Sequence, residues 1–154
     1  MKIAYGTYAM PMVPLDEALR VVAEIGYDGI EIAIGPEHNS MPDQWNSARR
    51  QQVKTLLSEL DLGVPALFIL KSIYTEDTGT HKANLQLIRQ VAGLARDLNL
   101  EPNPVISIML GGQSAYWEAQ REQFVRLLED YARLAADEGI VLAFEPHSHA
   151  AVDR

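Results

Sequence analysis

Residues Gly29–Gly35 read GIEIAIG, and the alternation within this run decides the architecture. Successive side chains of a strand point to opposite faces, so Ile30, Ile32 and Ile34 share one face while Glu31, Ala33 and Gly35 share the other. One face is bulky and apolar, the other small or polar. A central strand between two helical layers, as in an open doubly wound sheet, reads instead as a continuous bulky run. The asymmetry predicts a sheet whose outside meets helices and whose narrow inside opens onto a mouth. In IVLAFE, residues 140–145, Val141, Ala143 and Glu145 likewise oppose Leu142 and Phe144. The same parity in KIAYGTY, residues 2–8, turns Ala4, Gly6 and Tyr8 inward.

Outward from these strands, short apolar runs alternate with longer amphipathic segments. PLDEALRVVAEIG (14–26) carries Leu15, Leu19, Val22 and Ile25 at helical spacing, with a proline suited to its start and a glycine to its end. SARRQQVKTLLSELDLG (47–63) places Val53, Leu56, Leu57 and Leu60 on one stripe. VPALFIL (64–70) predicts a third strand, HKANLQLIRQVAGLARDLNL (81–100) a third helix, PVISIML (104–110) a fourth strand and REQFVRLLEDYARLAADEG (121–139) a fourth helix. Five strands alternating with four helices and no low-complexity linker predict one α/β domain over residues 1–154, built as an incomplete parallel (β/α) TIM-barrel-like sheet. A complete barrel needs about 250 residues and eight strands, so the chain reads as the first part of one.

Composition narrows the function classes. The 154 residues are 47% hydrophobic, enough for a real core. Thirteen basic against twenty-one acidic side chains leave a net charge of −8, which repels a phosphate backbone unless the basic groups cluster. They are scattered along helices, as in ARRQQVK, so no nucleic-acid partner is expected. The absence of cysteine excludes thiolate metal sites, disulfides and a cysteine nucleophile. The N-terminus MKIAYGTYAMPMVP lacks a signal-peptide pattern, and no window approaches the roughly 18 apolar residues of a membrane span. The expectation is a cytoplasmic protein with no membrane partner.

The chemistry-bearing stretch is VLAFEPHSH, residues 141–149. Glu145 ends an inward-facing strand position, where barrel enzymes keep their catalytic groups. A hard carboxylate there suits a divalent cation, with Mn²⁺ or Mg²⁺ first and Co²⁺ or Zn²⁺ compatible. The ordinary alternative is a strand-end salt bridge. His147 and His149 alternate after Glu145. His147 is read as a donor to a substrate hydroxyl and His149 as a loop histidine. On the same rim, Glu37 and His38 in GPEHNS are read as substrate contacts or as plain polar loop. Tyr8 and Trp117 are read as an aromatic wall at this rim or as ordinary packing. Glu31 lies deeper and is read as structural, because a buried carboxylate must be paired or hydrogen-bonded. GGQS, residues 111–114, lacks the fuller context of a phosphate loop and is explained by a turn out of the fourth strand. Ser148 beside His147 makes no triad without geometry.

Three stretches, EIGYDGIEI, LLSELDLGVPAL and LAADEGIVLAFEPHSH, resemble the xylose isomerase-like barrel superfamily, in particular its sugar phosphate isomerase/epimerase group, which shares a fold with apurinic endonucleases. The resemblance implies a metal-dependent sugar or sugar-phosphate isomerase or epimerase working by proton transfer through an enediolate, on a small carbohydrate. It carries over one residue, Glu145, as a metal ligand and candidate acid/base participant; His147, His38 and Tyr8 are read as substrate contacts from their place on the rim. The remaining Asp, His and second Glu of such a site would lie beyond Arg154, in a missing C-terminal half-barrel. A second reading, from another class, is a non-catalytic partial barrel whose open edges make a homo-oligomer. A third, an abasic-site phosphodiesterase, expects histidines at the exits of strands three and four, and ALFILKS and SIMLGGQ carry none.

Overall fold

The structure, a computed structural model, describes residues 1–100 and 102–152. Five strands, β1 (Ala4–Gly6), β2 (Gly29–Ile34), β3 (Leu67–Ser72), β4 (Val105–Met109) and β5 (Val141–Glu145), form one sheet in sequential order. Every neighbouring pair is parallel. Between them run α1 (Leu15–Ile25), α2 (Ser47–Glu59), α3 (Thr78–Asp97) and α4 (Trp117–Glu138). This is the predicted arc of a parallel barrel, five strands and four helices long.

The register carries the alternation across the whole sheet. Gly6 pairs with Glu31, Ala33 with Phe68, Phe68 with Ser107, Ser107 with Ala143, and Met109 with Glu145. These residues share the inner face. The outer face is formed by Ile30, Ile32, Ile34, Leu67, Ile69, Ile106 and Ile108, none more than 1% exposed. They belong to a single core with Leu19, Val53, Leu57, Ile88, Val91, Leu94, Phe124 and Leu134 of the helices. Each such aliphatic side chain contributes about 1.5–3 kcal/mol on full burial, which accounts for the strength of the helical layer's hold. On the two edge strands the outer face is only partly covered, with Tyr5 of β1 and Leu142 and Phe144 of β5 packed at the margin of the core.

Two of the helices, α2 and α3, start where a polar side chain takes up a free backbone N–H group. Asn46 accepts from Arg49 N–H at 2.9 Å ahead of α2, and Asp77 accepts from Thr80 N–H at 2.7 Å ahead of α3. That cap moves α3 three residues upstream of the predicted His81 start. α4 likewise begins at Trp117, four residues before the predicted Arg121, because a 3₁₀ turn at Ser114–Tyr116 leads directly into it. β3 starts at Leu67 rather than Val64: Pro65 cannot donate to a ladder, and the preceding chain makes only an isolated bridge from Gly63 to Gly29. β1 stops at Gly6, and a 3₁₀ turn at Thr7–Ala9 carries Tyr8 out of the strand. Among the described residues no helix is long and apolar enough to cross a membrane.

Candidate functional site

The inner face is where polar groups gather. Ser107 Oγ donates to Glu31 Oε1 at 3.2 Å, so the inward carboxylate has the partner its partial burial demands. Gly6 lies alongside: a Cβ built there would sit 3.4 Å from Glu31 Oε2. Burial pushes the Glu31 pKa up from the usual carboxylate value; the Ser107 hydrogen bond opposes this, and the negative charge of Glu145 adds to it. Glu31 and Glu145 therefore share one field, although they sit on strands separated by two others. The signal that would have found Ser107 is the parity of VISIM, which sets Val105, Ser107 and Met109 inward while Ile106 and Ile108 face the helices.

Glu145 closes β5 at the C-terminal rim. Its side chain is 50% exposed, and His147 Nε2 lies 3.5 Å from its Oε2, with the imidazole 49% exposed. The two groups form an ion pair when the ring is protonated. Pro146 ends the strand, yet the following turn returns His147 to the carboxylate. The turn is fixed by backbone bonds: Ala150 N–H donates to His147 O at 2.9 Å, and Ala151 N–H to Gly111 O at 3.0 Å. Ser114 N–H completes it by donating to His149 O at 3.2 Å, with His149 itself at φ 67°.

This seating explains GGQS. Gly111 and Gly112 have φ of 76° and 70°, a region that L side chains rarely adopt. A Cβ on Gly112 would lie 2.7 Å from the Phe124 ring and 2.9 Å from Ala151 Cβ. The two glycines thus turn the chain out of β4, as expected, and also let the segment after β5 lie directly on them. Sequence reasoning missed the second job because the contact joins residues nearly 40 positions apart.

The other rim residues divide. Tyr8 is 61% exposed and meets Phe68 edge to face, ring centroids 6.0 Å apart. His38 is only 8% exposed and its Nε2 lies 3.4 Å from Tyr8 O. Glu37 holds the rim through its backbone, its carbonyl accepting from Met12 N–H at 3.1 Å. Trp117 packs against Phe124 at the foot of α4, with centroids 6.0 Å apart. The structure thus brings Glu145 and His147 together on the open side and joins His38 to Tyr8 beneath the surface.

A family model described as a xylose isomerase-like TIM barrel matches residues 19–153. The chain belongs to that family. This xylose isomerase-like chain is 27% identical over 157 residues to fructoselysine 3-epimerase of Escherichia coli O157:H7, a match covering 95% of the chain and 54% of the relative. Its backbone superposes with a TM-score of 0.78 on the crystal structure of an IolI protein with a bound zinc atom, at 17% identity over 99% of this chain and 54% of that one. A second superposition, on the apo 3-keto-D-glucoside 4-epimerase YcjR from E. coli, has a TM-score of 0.71 at 18% identity, over 97% and 57%. The chain spans about half the length of the relatives it matches.

Among the described residues no three His, Cys, Asp or Glu side chains come close enough together to hold a metal ion. Glu145 and His147 fit a divalent cation in kind, one hard oxygen and one borderline nitrogen, but two donors fall short of the four or more such ions take from protein, substrate and water. The fit is that of part of a coordination shell.

Proposed function

We propose that this chain supplies the β1–β5 wall of a sugar or sugar-phosphate isomerase or epimerase, with Glu145 at its reacting end. The observation that carries the reading is the Glu145–His147 pair, seated at the C-terminal rim of an inner face that is otherwise small or polar. The reaction is removal of the proton on a carbon beside a carbonyl and its return, to the opposite face in an epimerisation or to the neighbouring carbon in an isomerisation. A divalent cation, Mn²⁺ or Mg²⁺ by the hardness of Glu145, supplies polarisation of the carbonyl oxygen when bound.

The chain's own groups do the rest. Glu145 offers a half-exposed carboxylate to the cation or to the moving proton. His147 orients that carboxylate and donates to a substrate hydroxyl. Glu31, whose pKa burial raises above the ordinary carboxyl value, adds a second carboxyl deeper in the barrel, held by the Ser107 hydroxyl. Tyr8 offers an aromatic edge to the apolar face of a sugar. The fructoselysine and keto-glucoside epimerases among the relatives support a carbohydrate substrate; the particular sugar is set by groups outside this wall.

The test is exchange of the substrate's carbon-bound hydrogen with ²H₂O, run on a ketose and aldose panel with the protein that carries this segment and Mn²⁺ present. Exchange falling by about 10²–10⁴ in Glu145→Gln, with Mn²⁺ affinity reduced, supports the reading. Loss of exchange with Mn²⁺ affinity unchanged removes the ligand role and leaves a proton-transfer role.

A second reading, a partial barrel that associates with another copy, is favoured by β5, where Val141 is 48% exposed on a strand whose outer edge has no partner among the described strands. Light scattering on the folded chain separates the two: a dispersed monomer that binds Mn²⁺ speaks for the enzyme, a discrete dimer for the module.

A further inference from the structure

His38 is a histidine that the proposed reaction does not use directly, and its surroundings are unusual for a rim residue. A carbonyl only accepts, so the bond from His38 Nε2 to Tyr8 O at 3.4 Å places a hydrogen on Nε2. In the neutral ring Nδ1 is then the lone-pair nitrogen. Nδ1 is fully buried and has no hydrogen-bond partner among the described residues. Leaving a buried acceptor unsatisfied forfeits the hydrogen bond it had with water in the unfolded chain, so a partner is expected.

The ring borders a cavity of about 10 Å³, lined also by Thr7, Ala18, Ile32, Ala33 and Ser40. That is the space one water centre requires. Two hydroxyls on its wall have capacity left over. Thr7 Oγ1 accepts from Ala33 N–H at 2.7 Å, and its own hydrogen is unassigned. Ser40 Oγ donates to Ala33 O at 2.5 Å and accepts from Gly35 N–H at 3.2 Å, which leaves one lone pair. Both side chains are at least 95% buried.

We infer that this cavity binds one structural water, which donates to His38 Nδ1 and Ser40 Oγ and accepts from the Thr7 hydroxyl, and that the hydrated His38 is a positioning residue for Tyr8. The three partners are within the two to four that buried waters hold. They come from the exit of β1, the turn Pro36–His38 and the second residue beyond it, so the water pins the first two rim loops to each other. The Met12 N–H to Glu37 O bond at 3.1 Å joins the same two loops further out. The substrate contact expected of His38 becomes an indirect one: a ring 8% exposed reaches the mouth only through Tyr8. The functional half of this inference rests on the carbohydrate site proposed above; the water itself does not.

The test is NMR on the 154-residue chain, independent of any activity. Long-range ¹H–¹⁵N spectra are expected to show a single His38 tautomer, Nε2 protonated and Nδ1 bare, with cross-peaks from a long-lived water to the His38 ring and the Thr7 methyl. A protonated Nδ1 in the neutral ring, a tautomer mixture, or one tautomer without a resident water overturns the site. In His38→Leu the Tyr8 ring resonances are expected to move toward solvent-exposed values as the edge-to-face contact with Phe68 loosens, while other aromatic shifts stay in place. Unmoved Tyr8 resonances in the folded variant overturn the positioning role. If that variant does not fold, Thr7→Ser, which keeps the hydroxyl, is expected to preserve both the tautomer and the water, and their loss counts against the site.

Discussion

The two faces of the sheet differ in what they do with the same backbone. On the outer face β2, β3 and β4 present only Ile and Leu, closed over by helices to 1% exposure or less. On the inner face the same strands present Glu31, Ala33, Phe68, Ser107 and Met109, and burial fades from Ala33 and Phe68 toward Glu145. The strands present no carboxylate on the outer face, whereas the inner face carries two, Glu31 and Glu145, that feel each other's charge. Stability and chemistry are therefore separated by one residue of register, which is also why a single-residue slip of any strand would exchange them.

Ile106 and Ser107 test that separation most directly, being adjacent in sequence and opposite in facing. Ile106→Ala, at a position with no exposure, is expected to cost about 2–5 kcal/mol in denaturant unfolding. Ser107→Ala removes one hydrogen bond on the open side and is expected to cost about 1 kcal/mol, while raising the Glu31 pKa further because the opposing hydrogen bond is gone. Equal losses at the two positions would break the comparison.

A packing effect of intermediate size is expected where the rim meets the outer core. Gly112→Ala sets a methyl against the Phe124 ring and Ala151, and Phe124 is itself held between Tyr74, stacked at 4.6 Å, and Trp117. Overpacking of this kind costs about 1–3 kcal/mol. It should also release the segment from His147 to Ala151, seen as faster amide exchange at Ala150 and Ala151. Loss of stability without that release would mean that the core relaxes and the rim does not.

Much of this was legible in advance, for a physical reason. GIEIAIG and IVLAFE state the facing of their strands because each face meets one kind of environment, and the parallel order follows from helices set between strands. Tyr8 was misplaced in its element, though not in its rim position, because alternation cannot announce that a strand ends at Gly6 and turns. His38 read as a substrate contact or a plain polar loop residue, since its burial depends on Thr7 and Ser40 closing around it from two loops. Ser107 was legible by parity alone. The Gly112 contacts with Phe124 and Ala151 depend on tertiary packing that no local pattern encodes. The parts left unread are those made by side chains far apart in sequence meeting at the rim.

The inner face also predicts a pH signature. A carboxyl whose pKa is higher folded than unfolded keeps its proton in the folded state over the interval between the two values, while the unfolded chain has lost it. The unfolded state then binds fewer protons, so stability falls as pH rises through that interval and is level above it. Glu31 is expected to contribute such a falling limb just above the ordinary carboxylate range, screened by its partial exposure. Glu31→Gln should flatten it in urea titrations taken across pH. An unchanged limb would assign it to another group and remove the coupling to Glu145 from the account.

The smallest stability change is expected at the residue with the largest role in the proposed chemistry. Glu145 is half exposed, the imidazole of His147 beside it is equally exposed, and the strand it ends is held by backbone bonds such as Leu110 N–H to Glu145 O at 3.2 Å. Glu145→Gln keeps the side-chain shape and those backbone bonds. It also removes a negative charge from the field of Glu31, which lowers the Glu31 pKa toward its ordinary value. The expected outcome is a stability within about 0.5 kcal/mol of the parent, with the Glu31 titration moved down and hydrogen exchange on the sugar panel lost. A substitution that cost several kcal/mol here would show Glu145 to be a member of the structural face, and the division of labour between the two faces would have to be redrawn at β5.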